Sequence, residues 1–239
     1  MATTFEEAWR YASEIDGWLL EEQGRALFEA ARTVQHGTVA VEIGSHRGKS
    51  ASIIAHGLPE GIRLTAVDPF DDPRWGGGPE SLALFQANLT SAGVLDRVDL
   101  FKGLSEEASS SWSGAPVGFL WVDGAHDLES TLKDFDGWMP HMAKGARLYV
   151  HDAFSAVGTT QAILIRFFFS RHVRFIGCER TLAKFEVGTF TLPQRLVAAV
   201  GITRRLFFFA RMVAIKLARR RGLHRLERRF MKIDNEPLI

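Results

Sequence analysis

The sequence contains very little cysteine and has no segment that resembles a secretory leader. Its one cysteine, Cys178, excludes an intramolecular disulfide and fits a reducing compartment. Residues 1–10 include acidic side chains and no long apolar run, which excludes a signal peptide or a membrane span at that position. From these absences we expect an intracellular, cytoplasmic protein.

Internal repeats and low-complexity tracts are also missing, apart from three consecutive glycines at 76–78. Apolar residues nevertheless make up 46% of the 239 residues, which allows a sizeable core. The net charge is only +1, but it is unevenly distributed. Residues 194–239 contain 12 Lys/Arg and three Asp/Glu, a net charge of +9. The preceding 193 residues contain 17 Lys/Arg and 25 Asp/Glu, a net charge of −8. Such asymmetry suggests an interaction tail.

The most informative segment covers residues 39–50 and has the sequence VAVEIGSHRGKS. Its alternating valines and Ile43 predict a strand that is covered on both faces, as in parallel sheets. Gly44 then permits a tight turn, and Gly48 lets the following helix pack closely. The N–H groups at the start of that helix would face a ligand in the turn.

A second candidate binding residue follows the next predicted strand, which ends in the carboxylate of Asp68. An acid at this position can accept both hydroxyls of a ribose. A dinucleotide fingerprint would be G-x-G-x-x-G, but this turn has only two glycines, with Glu42 two residues before the first. The pattern therefore indicates a nucleoside ligand and argues against a pyrophosphate.

Together, the E-x-G-x-x-x-G turn and the acid after the second strand resemble the nucleoside-binding half of class I S-adenosylmethionine-dependent methyltransferases. The resemblance implies that Gly44 and Ser45 line the methionine end of the cofactor and that Asp68 holds its ribose. The complete cofactor site implied in this way contains Glu42, Gly44, Ser45, Gly48, Ser50, Asp68 and Asp123. The alternative is a glycine turn that serves packing alone, since small residues occur in many strand-to-helix turns.

Strand and helix patterns alternate along the chain, which predicts an α/β fold with a doubly wound, mostly parallel sheet. The predicted strands cover 39–43, 62–68, 98–102, 117–122, 146–150, 173–178 and 182–187. The predicted helices cover 4–13, 18–35, 49–57, 79–92, 105–112, 128–139 and 159–169. The resemblance implies that the seventh strand runs antiparallel, as a terminal hairpin would make it. We divide the chain into an N-terminal helical flank or lid at 1–37, a methyltransferase domain at 38–190 and a basic amphipathic tail at 191–239.

Acidic and imidazole side chains follow the fourth and fifth predicted strands. The fourth continues into Asp123 and His126, and the fifth into His151 and Asp152. Because ligands of open α/β sheets bind beyond the carboxyl ends of the strands, we expect these four side chains to converge on one crevice. Carboxylate and imidazole are common ligands of a divalent cation, which can lower the pKa of an acceptor hydroxyl. His126 could then remove the proton, because free imidazole titrates near neutrality.

The pairing of D-G-A-H with H-D resembles the metal-dependent sugar O-methyltransferases of the macrocin and mycinamicin type, over about residues 38–190. The resemblance implies that Asp123 and Asp152 bind magnesium and that His126 is the general base. His151 stands where the macrocin type has an acid, so we include it among the candidate ligands and leave the metal's identity open. The alternative is structural: each Asp would cap the helix after its strand, and each His would bond to backbone.

The tail at 193–232 interleaves apolar clusters with basic residues. No apolar run there reaches the ~18 residues needed to span a bilayer. Helical spacing gathers Leu206, Phe209, Val213 and Leu217 on one face, which is typical of a helix in the plane of an anionic membrane surface. A dimer-forming helix is the second interpretation. An arm for nucleic acid ranks last, because no recognition motif accompanies the basic residues.

These features predict an S-adenosylmethionine-dependent O-methyltransferase, assisted by a divalent cation, that methylates a hydroxyl of a sugar, glycolipid or other small polar acceptor. If the tail binds a membrane, the acceptor is a lipid-linked sugar and the protein is peripheral on the inner face. One alternative is a nicotinamide-dependent oxidoreductase, although the sequence lacks the third glycine and any Tyr-x-x-x-Lys pair. Another is a non-catalytic membrane-associated protein that retains the fold, and homo-oligomerisation is open.

Overall fold

The computed structural model describes residues 3–71, 73 and 77–220, and side chains as far as residue 217. The described strands are β1 Val39–Ile43, β2 Leu64–Asp68, β3 Val98–Lys102, β4 Val117–Val122, β5 Met142–Val150, β6 Val173–Glu179 and β7 Leu182–Val187. The described α-helices are α1 Phe5–Ala12, α2 Glu21–Arg32, α3 Lys49–Gly57, α4 Ser81–Ser91, α5 Ser105–Ser110, α6 Leu128–Trp138, α7 Val157–Phe167 and α8 Leu192–Arg220.

The described strands form one seven-stranded sheet in the order β3-β2-β1-β4-β5-β7-β6. The pairs from β3 through β5 are parallel, whereas β7 is antiparallel to both of its neighbours. This arrangement confirms the predicted doubly wound, mostly parallel sheet and its terminal hairpin. The strand order reverses between β1 and β4, and ligands of such sheets bind in the crevice at that reversal.

Alternate residues of the central strands face two different apolar layers. In β1, Ala40 packs with residues of α1 to α4, whereas Val41 and Ile43 pack with residues of α5 to α8. Burial on both faces explains why this strand is apolar almost throughout. The ends of the central strands are therefore held from both sides, and the polar residues just beyond them are positioned by the packed core.

Several predicted boundaries differ from the structure. The strand β5 begins at Met142 rather than at 146, because its first residue pairs with Val117 at the start of β4. Helix α2 begins after Leu20 rather than at 18, since the Leu20 backbone N–H donates to the Gln23 side chain (3.0 Å) and Leu20 is extended. The first difference arises from a strand pairing that is distant in sequence, and the second from a capping contact three residues apart.

The helix α8 packs along β6. Its buried side is centred on Ile202, and Gly201 lies so close to Phe175 that an added Cβ would be 2.9 Å from the ring. Leu206 is half-buried, whereas Leu217 is 48% exposed, so the face predicted from helical spacing is divided between core and solvent. The missing side chain at Gly201 permits this close approach.

Within the described residues, no helix combines the length and the apolar content that crossing a bilayer requires. Residues 221–239, the last 19 residues of the predicted tail, lie outside the described part of the chain. The division of the chain at 37/38 and at 190/191 stays a prediction.

Candidate active site

A cavity of about 370 Å³ lies at the carboxyl edge of the sheet, where the strand order reverses. Its walls come from the loops after β1, β2, β3 and β4, and from residues 16–19 between α1 and α2. The volume is in the range of small-molecule sites, which is about 300–1,000 Å³. The fold therefore places a ligand-sized cavity at the edge where the candidate residues were expected.

Two glycines of the turn after β1 are required by its geometry. Gly44 has φ +85°, and a Cβ at this position would collide with the backbone carbonyl of Asp123. Gly48 has φ +88° at the start of α3, and its Cβ would lie 3.1 Å from the ring of Phe85. The glycine spacing thus lets the β1 turn approach the end of β4 and lets α3 approach α4.

Replacing Gly44 with alanine should destabilise the protein by about 2–5 kcal/mol, because it adds a steric collision to the cost of a left-handed φ. Gly61 is a matched control, since its φ is +77° and an added Cβ would meet nothing within 4 Å. Gly61→Ala should cost about 1–2 kcal/mol. Chemical denaturation of both variants measures the difference. Equal losses would show that the close approach to β4 contributes nothing.

Asp68, the predicted ribose ligand, is held at the cavity wall by backbone groups. Its Oδ2 accepts from the His46 N–H (2.8 Å) and its Oδ1 from the Phe70 N–H (2.6 Å). A carboxylate oxygen has two lone pairs, so each oxygen keeps capacity for a ligand hydroxyl. The two backbone bonds orient the group, which is what recognition of a diol requires.

Glu42 is fully buried in β1, with Ala66 and Trp121 as its neighbours on the adjoining strands. Neither carboxylate oxygen makes a hydrogen bond of normal geometry within the described residues. Burial raises the pKa of Glu42 to about 8, although the nearby hydroxyls of Ser45 and Ser50 act in the opposite direction. An unsatisfied buried carboxyl is costly, and a cationic group bound beside it would relieve that cost.

The residues after β4 and β5 do converge, as predicted. His151 Nδ1 lies 2.9 Å from Asp123 Oδ1, and His126 Nε2 lies 3.4 Å from the same oxygen. The carboxylate of Asp152 is farther out, with its Oδ2 3.7 Å from His126 Nε2. One potential ligand atom each from Asp123, His126 and His151 lies within 4.8 Å of the others. His126 therefore belongs to the tight cluster, and Asp152 borders it.

Attraction between carboxylate and imidazole dominates the electrostatics of this cluster. Burial alone opposes charge on each group, but the two imidazoles lower the pKa of Asp123 below its ordinary value. For His151, burial is likewise outweighed by the carboxylates of Asp123 and Asp152, which raise its pKa to about 9. The pKa of His126 is raised for the same reason. The group is thus a charge-coupled unit.

The helix-capping interpretation of Asp123 and Asp152 does not match the geometry. Helix α6 is capped by Asp127, whose Oδ1 accepts from the Ser130 N–H (2.9 Å), and α7 starts after Ala156. Asp123 and Asp152 are therefore not helix caps. The backbone also carries strain at this edge, since several non-glycine residues have φ between +45° and +61°: His46, Phe70, His126, Asp152 and Phe154. Such strain concentrates at functional sites.

Most of the predicted site residues lie at one place. The cavity wall includes Gly44, Ser45, Ser50, Asp68, Asp123 and His126. His151 lies behind Asp123 with its side chain 8% exposed, and the side chain of Asp152 is 44% exposed. The individual roles assigned to these residues stay predictions.

Other wall residues were not identified from the sequence. Asp134 of α6 is almost fully buried at the wall, and burial raises its pKa to about 6. Ser105 follows β3, and its position just beyond the end of a predicted strand could have identified it as a wall residue. Asp16 pairs with Arg47 of the glycine turn, and the rings of Trp18 and His46 are 5.8 Å apart. The α1–α2 segment is thus attached to the cavity by contacts that are distant in sequence.

A family model described as a methyltransferase domain matches residues 41–153. Among solved structures, the O-methyltransferase TomG of Streptomyces achromogenes, in complex with SAM, is 18% identical at a TM-score of 0.59, covering 80% of this chain and 92% of its own. The Bacillus cereus O-methyltransferase in complex with SAH is 17% identical, with a TM-score of 0.53, and the match covers 77% of this chain and 90% of that one. An SAH-bound methyltransferase of Podospora anserina is 14% identical, with a TM-score of 0.58, and the match covers 77% of this chain and 87% of that one. These structural likenesses show the fold.

Proposed function

We propose that the protein is a class I, S-adenosylmethionine-dependent methyltransferase that methylates a hydroxyl of a sugar, glycolipid or other small polar acceptor. The match of residues 41–153 to a methyltransferase domain supports this proposal. A divalent cation assists the transfer, and His126 is the general base. The observation that carries the proposal is the Asp123, His126 and His151 cluster, which borders the cavity formed by the glycine turn and Asp68.

Two features of the cavity, together with the buried Glu42 that is not part of its wall, support S-adenosylmethionine as the methyl donor. The Gly44 turn lets a ligand approach the backbone, and Asp68 is oriented with lone pairs available to ribose hydroxyls. Glu42 offers a buried carboxyl that lacks a hydrogen-bond partner among the described residues, and it adjoins the turn. The methionine end of the donor carries an ammonium and a sulfonium, so binding there would favour the ionised carboxylate.

Asp123, His151 and Asp152 are the proposed cation ligands. Two of these ligands, Asp123 and His151, belong to the tight cluster, and Asp152 borders it. Imidazole nitrogen beside carboxylate oxygen suits manganese, iron or zinc as well as magnesium. When bound, such an ion lowers the pKa of an acceptor hydroxyl and fixes its direction. A sugar presents neighbouring hydroxyls, which are oxygen donors of the type that hard cations prefer.

The protein's own groups would orient the acceptor and move the proton. Asp123 contacts both imidazoles and so sets their orientation. His126 Nε2 lies 3.4 Å from the Asp123 carboxylate and 3.7 Å from that of Asp152, and these acids raise the pKa of His126. The neutral form of the imidazole would accept the hydroxyl proton. The acceptor oxygen bonds to the methyl carbon as the carbon–sulfur bond breaks, and S-adenosylhomocysteine leaves. Asp152, 3.7 Å from Nε2, would stabilise the resulting imidazolium.

His126→Gln should lower the turnover number by about a hundredfold or more, because the variant retains a polar side chain but has no proton acceptor of suitable pKa. If His126 is the base, the affinity for Mn²⁺ measured by calorimetry should change by less than about twofold, since the proposed ligands remain. The exposed His36→Gln is the matched control and should retain full turnover. A parallel loss of Mn²⁺ affinity would instead assign His126 as a ligand.

The proposal as a whole is tested with purified protein, methyl-labelled S-adenosylmethionine, and lipid and metabolite extracts. We expect calorimetric binding of the donor, and labelled ether products whose formation stops with chelator and resumes with added Mg²⁺ or Mn²⁺. Full activity in chelator would remove the cation from the mechanism. Donor binding without transfer to any extract would favour the non-catalytic alternative.

A further inference from the structure

The solvent-facing side of α8 exposes a row of large apolar side chains. Leu196, Val197, Val200 and Phe207 lie on this side, and Val197 and Phe207 are 73% and 76% exposed. The opposite side of the helix is covered by the sheet, with Ile202 completely buried. We call the four exposed residues the outer face of α8. Large apolar side chains exposed on one side of a helix favour an interaction site.

The charge of α8 restricts what can cover the outer face. The sequence from Leu192 to Arg220 contains seven Lys/Arg and no Asp/Glu. Arg195, Arg205 and Lys216 donate hydrogen bonds to backbone carbonyl oxygens, which carry no full negative charge. These three side chains therefore face the protein body, whereas the exposed Arg204 supplies positive charge on the outer face itself, because helical spacing places it beside Val200 and Phe207. A partner of this surface has to combine apolar depth with negative charge.

We propose that the outer face of α8 docks on the surface of a bilayer that contains anionic lipids. Acyl chains accept the apolar row, and anionic headgroups attract the basic side chains beside it. The helix would lie in the interface, in agreement with the finding that no described helix can cross a bilayer. A second copy of the chain is a poorer partner, because a symmetric α8–α8 contact would bring together two helices whose charged residues are all basic.

The path of α8 connects this surface to the candidate active site. The helix runs along β6, and near its end Lys216 Nζ donates to the Ser155 backbone oxygen (2.9 Å). Ser155 also contacts Asp152, because its hydroxyl donates to Asp152 Oδ1 (3.0 Å). Docking would therefore hold the loop after β5 near the lipid surface. If the proposed function holds, a lipid-linked acceptor would reach the cavity from that surface.

Cosedimentation of the full chain with lipid vesicles tests the docking. We expect binding to vesicles of phosphatidylcholine with phosphatidylglycerol, little binding to phosphatidylcholine alone, and loss of binding as salt is raised. The double variant Val197→Ser/Phe207→Ser should reduce the partition coefficient by at least about tenfold. The matched control is Leu95→Ser/Leu100→Ser. Leu100 lies in β3, the edge strand farthest from α8 in the sheet, and Leu95 lies just before it; both are partly exposed. This variant should bind vesicles within about twofold of the wild type.

Three outcomes would overturn the docking proposal. These are no binding to anionic vesicles, equal binding to neutral vesicles, and unchanged binding of the double variant. If light scattering shows that the wild type is a dimer, that Val197→Ser/Phe207→Ser is a monomer, and the wild type does not bind vesicles, the outer face is a contact with a second copy. Circular dichroism and calorimetry with S-adenosylmethionine control for folding. Absence of donor binding by the wild type would count against the proposed function alone, since vesicle binding does not depend on it.

Discussion

Replacing Asp123 with asparagine is expected to reduce methyl transfer by at least about a hundredfold while the protein stays folded. The side chain keeps its size, and its amide oxygen can still face His151 Nδ1, which is 2.9 Å from Asp123 Oδ1 in the native protein. The lost charge matters more, because Asp123 Oδ1 lies within 3.4 Å of a nitrogen of each imidazole in the cluster. Asparagine is also a much poorer ligand for a divalent cation than a carboxylate.

Turnover under saturating donor, together with Mn²⁺ affinity by calorimetry, measures this effect. Asp127→Asn is the matched control, because Asp127 lies four residues away, caps α6, and asparagine caps a helix equally well. We expect the control to retain wild-type turnover and Mn²⁺ affinity. Unaltered transfer by Asp123→Asn would eliminate the cluster from the mechanism, even if the methyl donor still binds.

Replacing Glu42 with glutamine is expected to make the cofactor-free protein more stable at alkaline pH and to change its stability little near pH 5. Burial raises the pKa of Glu42 to about 8, from an ordinary value of 4.5. Between these values the native carboxyl keeps a proton that the unfolded chain has released. Native stability therefore falls as pH rises from about 4.5 to about 8, and the loss is complete above the native pKa.

The size of this contribution follows from the shift. A pKa of about 8 in the folded protein, against 4.5 in the unfolded chain, lowers the free energy of unfolding at alkaline pH by about 4–5 kcal/mol at most. Glutamine does not titrate, so urea denaturation at pH 5 and at pH 8.5 should show the variant gaining several kcal/mol relative to wild type only at the higher pH. The difference between the two proteins isolates Glu42 from other titrating groups. Glu60→Gln, at an exposed position, should show no such pH-dependent difference.

A pH-independent offset between Glu42→Gln and wild type would mean that the native carboxyl is not held neutral. The same variant also tests the cofactor site. If the ammonium of the donor binds beside Glu42, glutamine should weaken donor affinity by about tenfold or more, since a charged hydrogen bond becomes a neutral one. Unchanged donor affinity would place the methionine end of the donor elsewhere in the cavity.

The sheet and the cluster at its edge could be predicted because their signals are local. The apolar run of β1 marks a buried strand, and the strand-ending position of Asp123 and His151 places both at one edge of a parallel sheet. The start of β5 was less predictable, because Met142 joins the sheet through its pairing with β4. Long-range pairing overrides local propensity wherever a partner strand supplies the hydrogen bonds.

The sequence by itself determined the doubly wound topology, the glycine turn and the identity of the acid–imidazole cluster, because periodicity and residue chemistry carry that information along the chain. Only the tertiary structure decided that His126 lies inside the cluster while Asp152 borders it, and that Asp134 and residues 16–19 join the cavity wall. It also decided which face of α8 is exposed, because Gly201 allows the helix to approach Phe175. Such distances depend on how separate elements pack, and no local pattern encodes them.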